Sequence, residues 1–115
     1  MNLDELTLKE QLNGLKDSSF TSVELTEVYL KRINQLDASI NSYITVTEDS
    51  ALEQAKESDK RYKKNEPLLL DGIPIAHKDI FCTEDVLTTC GSKMLSNFKA
   101  PYSSTVVSKF KNDGI

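Results

Sequence analysis

The sequence lacks the features that mark membrane-spanning, secreted and metal-binding proteins. It has no apolar run of about 18 residues, so no segment is predicted to cross a membrane as a helix. Its N-terminus is acidic and has no apolar segment, unlike a signal peptide, so we expect a cytoplasmic protein. His77 is the only histidine, and neither H-E-x-x-H nor C-x-x-C occurs, so we predict no metal site.

Cysteine and basic charge are also scarce. The two cysteines, Cys82 and Cys90, are expected to be reduced in a cytoplasmic protein and to act as small core residues. The 14 basic residues are outnumbered by 18 acidic ones, and the net charge of −4 opposes unaided binding to a polyanion. For the small basic cluster Lys60–Lys64, a solvated helix end is favoured over an RNA contact.

What is present suits one globular domain. With 115 residues, 38% of them hydrophobic and 28% charged, the chain can bury a core. Two capping boxes, Thr7–Glu10 and Thr21–Glu24, place a threonine three residues before a glutamate and predict helix starts. Phe20 and Leu25 flank the second cap as a hydrophobic staple, and the apolar period predicts a helix from about Ser22 to Asp37.

Two further helices are predicted, with irregular stretches around them. Tyr43–Val46 favours a short strand or an extended link, and the helix that follows begins at Thr47 and ends in a charged run. After a loop-like stretch rich in threonine, serine and glycine, we expect Ser103 or Ser104 to cap a last helix that ends near Gly114.

The densest apolar run, Leu70–Cys82, has a charged pair in it. Ile73–Ala76 favours a buried strand, with Lys78 and Asp79 at its far end. A lysine drawn into a core destabilises it by several kcal/mol if it stays charged and unpaired. His77 would point to the opposite face of such a strand, which favours a structural role for it.

Two interpretations of Lys78 remain open from the residues alone. Burial disfavours the charged form of a lysine, so apolar neighbours would allow Lys78 to act as a neutral general base. Serine–lysine pairs are a known variant of the catalytic triad. Alternatively, Lys78 pairs with Asp79, or its amine extends to water along an apolar surface. The sequence assigns no substrate-binding residue.

Three blocks carry a resemblance to a known family. They are Gly72–Asp79 (G-I-P-I-A-H-K-D), Thr88–Leu95 (T-T-C-G-S-K-M-L) and Ala100–Val107 (A-P-Y-S-S-T-V-V). In this order and spacing they resemble the amidase signature family, and the similarity runs along nearly the whole chain. Within the family, the pattern is most similar to the A subunits of glutamyl-tRNA(Gln) amidotransferases. The resemblance favours the catalytic interpretation of Lys78.

The resemblance implies an α/β fold. Residues 1–66 would supply mainly helices, and residues 67–115 the first strands of a mixed sheet with the Lys78 strand, all within one amidase domain. Family members are several times longer and continue into a strand after Ile115. We therefore expect an N-terminal fragment or a truncated gene product with an incomplete sheet. An uncovered sheet edge would make this chain marginally stable and prone to aggregate.

The resemblance also implies catalytic roles. Amidase signature enzymes use a lysine base and two serines, one of them the nucleophile, and the base falls on Lys78. The two serines belong to a Gly/Ser-rich signature that has no counterpart before Ile115. Ser92, Ser103 and Ser104 do not match that signature, so we expect this segment alone to be inactive.

For the complete protein, the resemblance implies a glutamine-hydrolysing amidotransferase, a ligase of protein biosynthesis. Its ammonia would convert Glu-tRNA(Gln) to Gln-tRNA(Gln) in a heterotrimer with B and C subunits, with tRNA bound mainly by B. This segment would bind no cofactor, while the assembled complex would use ATP and Mg²⁺. The alternatives are a stand-alone amidase with another amide substrate, and a non-enzymatic binding module or truncated remnant.

Overall fold

Helices provide most of the regular structure in this chain, and the computed structural model describes residues 2–115. The α-helices in that range are α1 (Leu8–Lys16), α2 (Ser22–Ile40), α3 (Glu48–Lys63) and α4 (Thr105–Asn112). Short 3₁₀ turns occur at Leu3–Glu5 and Lys93–Leu95. Helices α2 and α3 pack against each other, and the first 3₁₀ turn lies against α2.

Both predicted capping boxes form, and they fix where α1 and α2 begin. The Thr7 hydroxyl accepts the N–H of Glu10, whose carboxylate accepts the N–H of Thr7 at 2.8 Å. Thr21 and Glu24 make the same reciprocal pair, with the N–H of Thr21 at 2.7 Å from the carboxylate. Each cap satisfies backbone donors that have no partner within the helix, which typically stabilises a helix by about 1 kcal/mol.

The later helix boundaries differ slightly from the predictions. Helix α2 continues past the predicted Asp37 to Ile40, and it ends where Asn41 adopts a left-handed conformation with φ 56°. The Asp37 carboxylate accepts the N–H of Ser42 at 2.7 Å and so closes the helix end. Tyr43–Val46 is an irregular link with a bend at Ile44, so the short strand that was one of the two predicted forms is absent there.

The hydrophobic core lies where α1 and α2 meet the segment after α3. Leu15, Phe20, Leu25 and Ile73 form one buried cluster, so both residues of the predicted staple are core residues. The Phe20 ring lies directly over Gly14, where an added Cβ would come within 2.2 Å of a ring carbon. The close approach of ring and backbone therefore depends on the absence of a side chain at Gly14.

The strand expected at Ile73–Ala76 does not form. Among residues 2–115 there is no β-strand, and an isolated antiparallel bridge joins Leu87 to Lys99. A strand needs a neighbouring strand to pair its backbone N–H and C=O groups, and no described segment pairs with residues 74–77 in this way. Ile73 alone of the expected strand is buried, while Ile75 is exposed.

A buried carboxylate joins α3 to the segment that follows it. Asp71 is 0% exposed, and Arg61 of α3 donates two hydrogen bonds to it, from Nε to Oδ2 at 2.7 Å and from Nη2 to Oδ1 at 2.6 Å. The N–H of Leu68 also donates to the carboxylate, and the Tyr62 hydroxyl donates to the Asp71 carbonyl. We call these four residues the Asp71 cluster.

The end of α4 lies against the Asp71 cluster. The N–H of Leu70 donates to the carbonyl of Asp113 at 2.8 Å, and the N–H of Gly72 donates to the carbonyl of Gly114 at 3.0 Å. Gly114 has φ +90°, and an added Cβ there would come within 2.8 Å of the Asp71 Cα. The segments on either side of the three motif blocks therefore meet at one point.

Helix α3 also stabilises the first turn of α2. The Asp59 carboxylate accepts hydrogen bonds from the N–H of Ser22 at 2.7 Å and from the N–H of Val23 at 3.2 Å. A negative charge at this position interacts favourably with the helix dipole. The Ser22 hydroxyl donates in turn to the carbonyl of Gly72 at 2.8 Å. The start of α2 is therefore bonded both to α3 and to Gly72, the first residue of the first motif block.

We predict that Arg61→Ala lowers the free energy of unfolding by about 3–5 kcal/mol, because it leaves the buried Asp71 carboxylate without its charged partner. Urea denaturation followed by circular dichroism measures this value, and loss of the cooperative transition would agree with it. Lys60→Ala is the matched control, since Lys60 pairs with Glu57 on the exposed side of α3 and should have little effect. Equal losses in both variants would contradict the prediction.

The Asp71 cluster also predicts a loss of stability in acid. Burial raises the pKa of the Asp71 carboxyl, but hydrogen bonds from Arg61 and Leu68 outweigh burial and hold that pKa below its ordinary value of 3.8. This stabilisation is therefore complete above the unfolded-state pKa and is lost as the pH falls through the lower folded-state pKa. The difference in unfolding free energy between wild type and Asp71→Asn should shrink between about pH 5 and about pH 3. A constant difference would refute this assignment.

Candidate functional site

Lys78 lies on an irregular segment between the buried Ile73 and the half-buried Phe81. The N–H of Phe81 donates to the carbonyl of Lys78 at 3.1 Å, so a tight turn follows the lysine. The Lys78 side chain is exposed, and its apolar neighbours Ile75 and Ile80 are 42% and 50% exposed. The lysine and the apolar side chains near it therefore share one open surface.

The burial predicted for Lys78 is not observed within residues 2–115. Five apolar residues were expected to surround the amine: Ile73, Ile75, Ala76, Ile80 and Phe81. Ile75, Ala76 and Ile80 are exposed, because no described segment covers this side of the chain. The alternative ion pair with Asp79 is also absent from the ion pairs of the described residues. In this chain the Lys78 side chain extends towards water, and its catalytic role stays a prediction.

Asp79 is bound to the turn that opens the second motif block. Its carboxylate accepts the N–H of Thr89 at 2.9 Å and the Thr89 hydroxyl, and its carbonyl accepts the N–H of Cys90 at 2.8 Å. The N–H of Gly91 donates to the Thr89 hydroxyl oxygen at 3.1 Å. Partial burial raises the pKa of the Asp79 carboxyl, but the hydrogen bonds from this turn outweigh it and lower that pKa. We call these four residues the Asp79 anchor.

The residue before Lys78 is held by a different contact. The His77 ring packs against Phe110 of α4, with the ring centroids 5.9 Å apart and the planes tilted by 52°. Partial burial of the imidazole lowers the pKa of His77 below its ordinary value of 6.5. This packing contact agrees with the structural role expected for His77, although it arises from α4 and not from the alternation of a strand.

The third motif block is bonded to the segment that follows Lys78. The N–H of Ser104 donates to the carbonyl of Cys82 at 2.8 Å, and the Ser104 hydroxyl caps α4 by accepting the N–H of Val107. The Ser103 hydroxyl accepts the N–H of Glu84 at 3.0 Å. Both serines thus serve the backbone, which agrees with leaving them out of the catalytic set. The first motif block is thus bonded to the second through Asp79 and Thr89, and the third block is bonded to residues 82–86 between them.

Both cysteines are free thiols, as expected, but Cys90 is not a core residue. Cys90 is exposed and has φ 53°, a left-handed conformation that places its N–H on the Asp79 carbonyl. The prediction of a small core residue at this position was therefore wrong. The backbone N–H of Cys90 makes the contact with Asp79, and its side chain stays exposed. Cys82 is half-buried.

Sequence reasoning missed Arg61, Asp71 and Thr89. Arg61 belongs to the basic cluster Lys60–Lys64 that was expected to be solvated, although a lone aspartate within the apolar run Leu68–Ile73 indicates that a cation is needed nearby. For Thr89 there was no comparable signal, because its partner Asp79 lies ten residues earlier in the chain. Only the folded loop brings these two side chains together.

Other kinds of site find no support in the part of the chain that the structure describes. Within residues 2–115, no group of three or more His, Cys, Asp or Glu side chains is arranged to hold a metal ion. None of the described helices is both long and apolar enough to span a membrane. A shallow depression on α3 is lined largely by charged side chains and includes no residue of the three motif blocks.

The chain matches the family model described as Amidase over residues 24–115. This range contains nearly all of α2, together with α3, α4 and the three motif blocks. The chain therefore belongs to the Amidase family.

Its curated relatives include proteins that are named as the A subunit of glutamyl-tRNA(Gln) amidotransferase. The one from Pseudomonas fluorescens (strain Pf0-1) is 56% identical over 112 residues, which are 97% of this chain and 23% of that protein. Those from Pseudomonas putida (strain KT2440) and Saccharophagus degradans (strain 2-40) are 57% and 50% identical, each across 98% of this chain and 23% of the relative. The chain thus spans about a quarter of the length of these relatives.

Two solved structures share its backbone. Both are described as an unexpected vestigial protein complex that reveals the evolutionary origins of an s-triazine catabolic enzyme, one of them bound to an inhibitor. The TM-scores are 0.89 and 0.88, with 26% and 27% sequence identity. Each comparison covers 95% of this chain and 24% of the other, so the same arrangement of helices and loops occurs there within a larger protein.

Proposed function

We propose that this chain is part of the glutamine-hydrolysing A subunit of a glutamyl-tRNA(Gln) amidotransferase. Identities of 50–57% across 97–98% of the chain to proteins of that name support the assignment. In the complete protein, glutamine is hydrolysed to glutamate and ammonia, and the ammonia converts Glu-tRNA(Gln) to Gln-tRNA(Gln). The structural observation that carries the proposal is the bonding of the first motif block, which contains Lys78, to the second block through Asp79 and Thr89.

Lys78 is the general base in this proposal. A lysine accepts a proton only when it is neutral, and loss of hydration in an apolar site favours the neutral form. Ile75 and Ile80 are exposed here and offer the apolar surface for such a site. The proposal therefore requires that the rest of the complete protein covers them and supplies strands beside residues 73–77.

The nucleophile is a serine from outside residues 2–115. Lys78 accepts the hydroxyl proton as the serine oxygen attacks the amide carbonyl of glutamine, and that proton leaves with the ammonia. Water then hydrolyses the acyl-enzyme ester to glutamate and restores the serine. Residues 2–115 alone should therefore not turn over glutamine.

The proposed partners are B and C subunits in a cytoplasmic heterotrimer. Binding of tRNA is assigned mainly to B, which is compatible with the net charge of −4 on this chain. The assembled complex uses ATP and Mg²⁺ for amidation, and the step assigned to Lys78 involves neither. This division of work leaves the chain with amide hydrolysis only.

Lys78→Ala tests the base role in the full-length protein. A chimera in which residues 2–115 replace the matching part of the Pseudomonas fluorescens relative provides an equivalent background. We expect the glutaminase kcat to fall by about 10²–10⁴-fold, the usual contribution of a general base. Release of ammonia from glutamine is the measurement, and Lys99→Ala, which changes another exposed lysine, should retain activity. Wild-type turnover by Lys78→Ala would exclude the base role.

The likeness to structures described with reference to an s-triazine catabolic enzyme favours a different substrate. The second candidate is therefore an amidase with another amide substrate, and we take its stand-alone form as the alternative. Affinity purification of the tagged full-length protein from its native host separates the two. The amidotransferase predicts stoichiometric recovery of B- and C-like subunits together with glutaminase activity. Recovery of the protein without B- and C-like subunits, together with hydrolysis of an amide other than glutamine, would favour the stand-alone amidase.

A further inference from the structure

The residues on either side of Lys78 are held by different contacts. His77 packs against Phe110, whereas Asp79 is held by several hydrogen bonds. Both carboxylate oxygens of Asp79 are engaged by Thr89, one by its N–H and the other by its hydroxyl. The Asp79 carbonyl is engaged by Cys90. Thr89 is 6% exposed and Asp79 is half-buried, so these bonds are partly shielded from competing water.

We propose that Asp79 is a positioning residue for Lys78, and that the Thr89 hydroxyl is the group through which it acts. This inference rests on the proposed base role of Lys78. The Asp79 anchor fixes the backbone one residue from the lysine, while the turn closed by the N–H of Phe81 fixes the Lys78 carbonyl. The flexible lysine side chain thus starts from a fixed Cα.

The same bonds keep the carboxylate away from the amine. A free carboxylate beside a lysine favours the charged ammonium, which is not a base. Thr89 bonds both Asp79 oxygens, and Asp79 forms no ion pair with Lys78 within the described residues. The anchor therefore serves the base role twice, by placing Lys78 and by directing the Asp79 carboxylate towards Thr89 and not towards the amine.

Thr89→Val tests this inference in the full-length protein or chimera, because it removes the hydroxyl and keeps the side-chain shape. We expect kcat for glutamine hydrolysis to fall by about 10–100-fold, the effect of a small misplacement of a reacting group, with KM within about twofold. Thr89→Ser restores the hydroxyl and should recover most of kcat. Thr83→Val is the matched control, since the Thr83 hydroxyl donates to the Phe81 carbonyl and not to Asp79.

Hydrogen exchange of the peptide covering residues 75–82 provides a readout that is independent of activity. Exchange should be faster in Thr89→Val than in wild type, and unchanged in Thr89→Ser. If Thr89→Val fails to assemble, Asp79→Asn keeps the side-chain size and one acceptor oxygen, and it should show the same loss confined to kcat.

The outcomes separate this inference from the proposed function. Loss of activity in Lys78→Ala with normal kcat in Thr89→Val would overturn the positioning role and leave the base role standing. Equal losses in Thr89→Val, Thr89→Ser and Thr83→Val would also overturn it, because the hydroxyl would then have no specific effect. Full activity in Lys78→Ala would overturn both.

Discussion

The fold depends on the pairing of a fully buried carboxylate with one cation. Asp71 has no access to water, so its charge is tolerated only because Arg61 donates two short, parallel hydrogen bonds to it. The position of Arg61 on α3 therefore fixes the position of Asp71, and with it the start of the first motif block at Gly72. The same aspartate lies against Gly114, so the end of α4 is fixed as well. This ion pair thus fixes α3, the segment around Asp71 and the end of α4 relative to one another.

The helical part of this arrangement was predictable because its determinants are close in sequence. The capping boxes at Thr7 and Thr21 involve residues three positions apart, and both form as the sequence indicates. The staple of Phe20 and Leu25 is equally local and lies in the core. The end of α2 was misplaced because it depends on a left-handed Asn41, which the apolar period does not reveal.

The site was less predictable because its determinants are distant in sequence. Burial of Lys78 and a strand at residues 73–76 both require neighbouring segments, and residues 2–115 do not supply them. The residues alone left two roles for Lys78 open, and the motif blocks, not local physics, favoured the catalytic one. The contact between Asp79 and Thr89 spans ten positions of irregular loop, for which propensity and period give no signal.

The pairing of residues 70–72 with residues 113–114 makes the stretch between them, roughly forty residues, a loop closed at its base. The entropy of closing such a loop changes only slowly with its length, since doubling the length adds about 0.6 kcal/mol. Insertions or deletions at exposed turns of this loop should therefore leave the helical scaffold folded, provided that the base stays intact. Changes in the length of this loop should therefore carry little penalty to the stability of α1, α2 and α3.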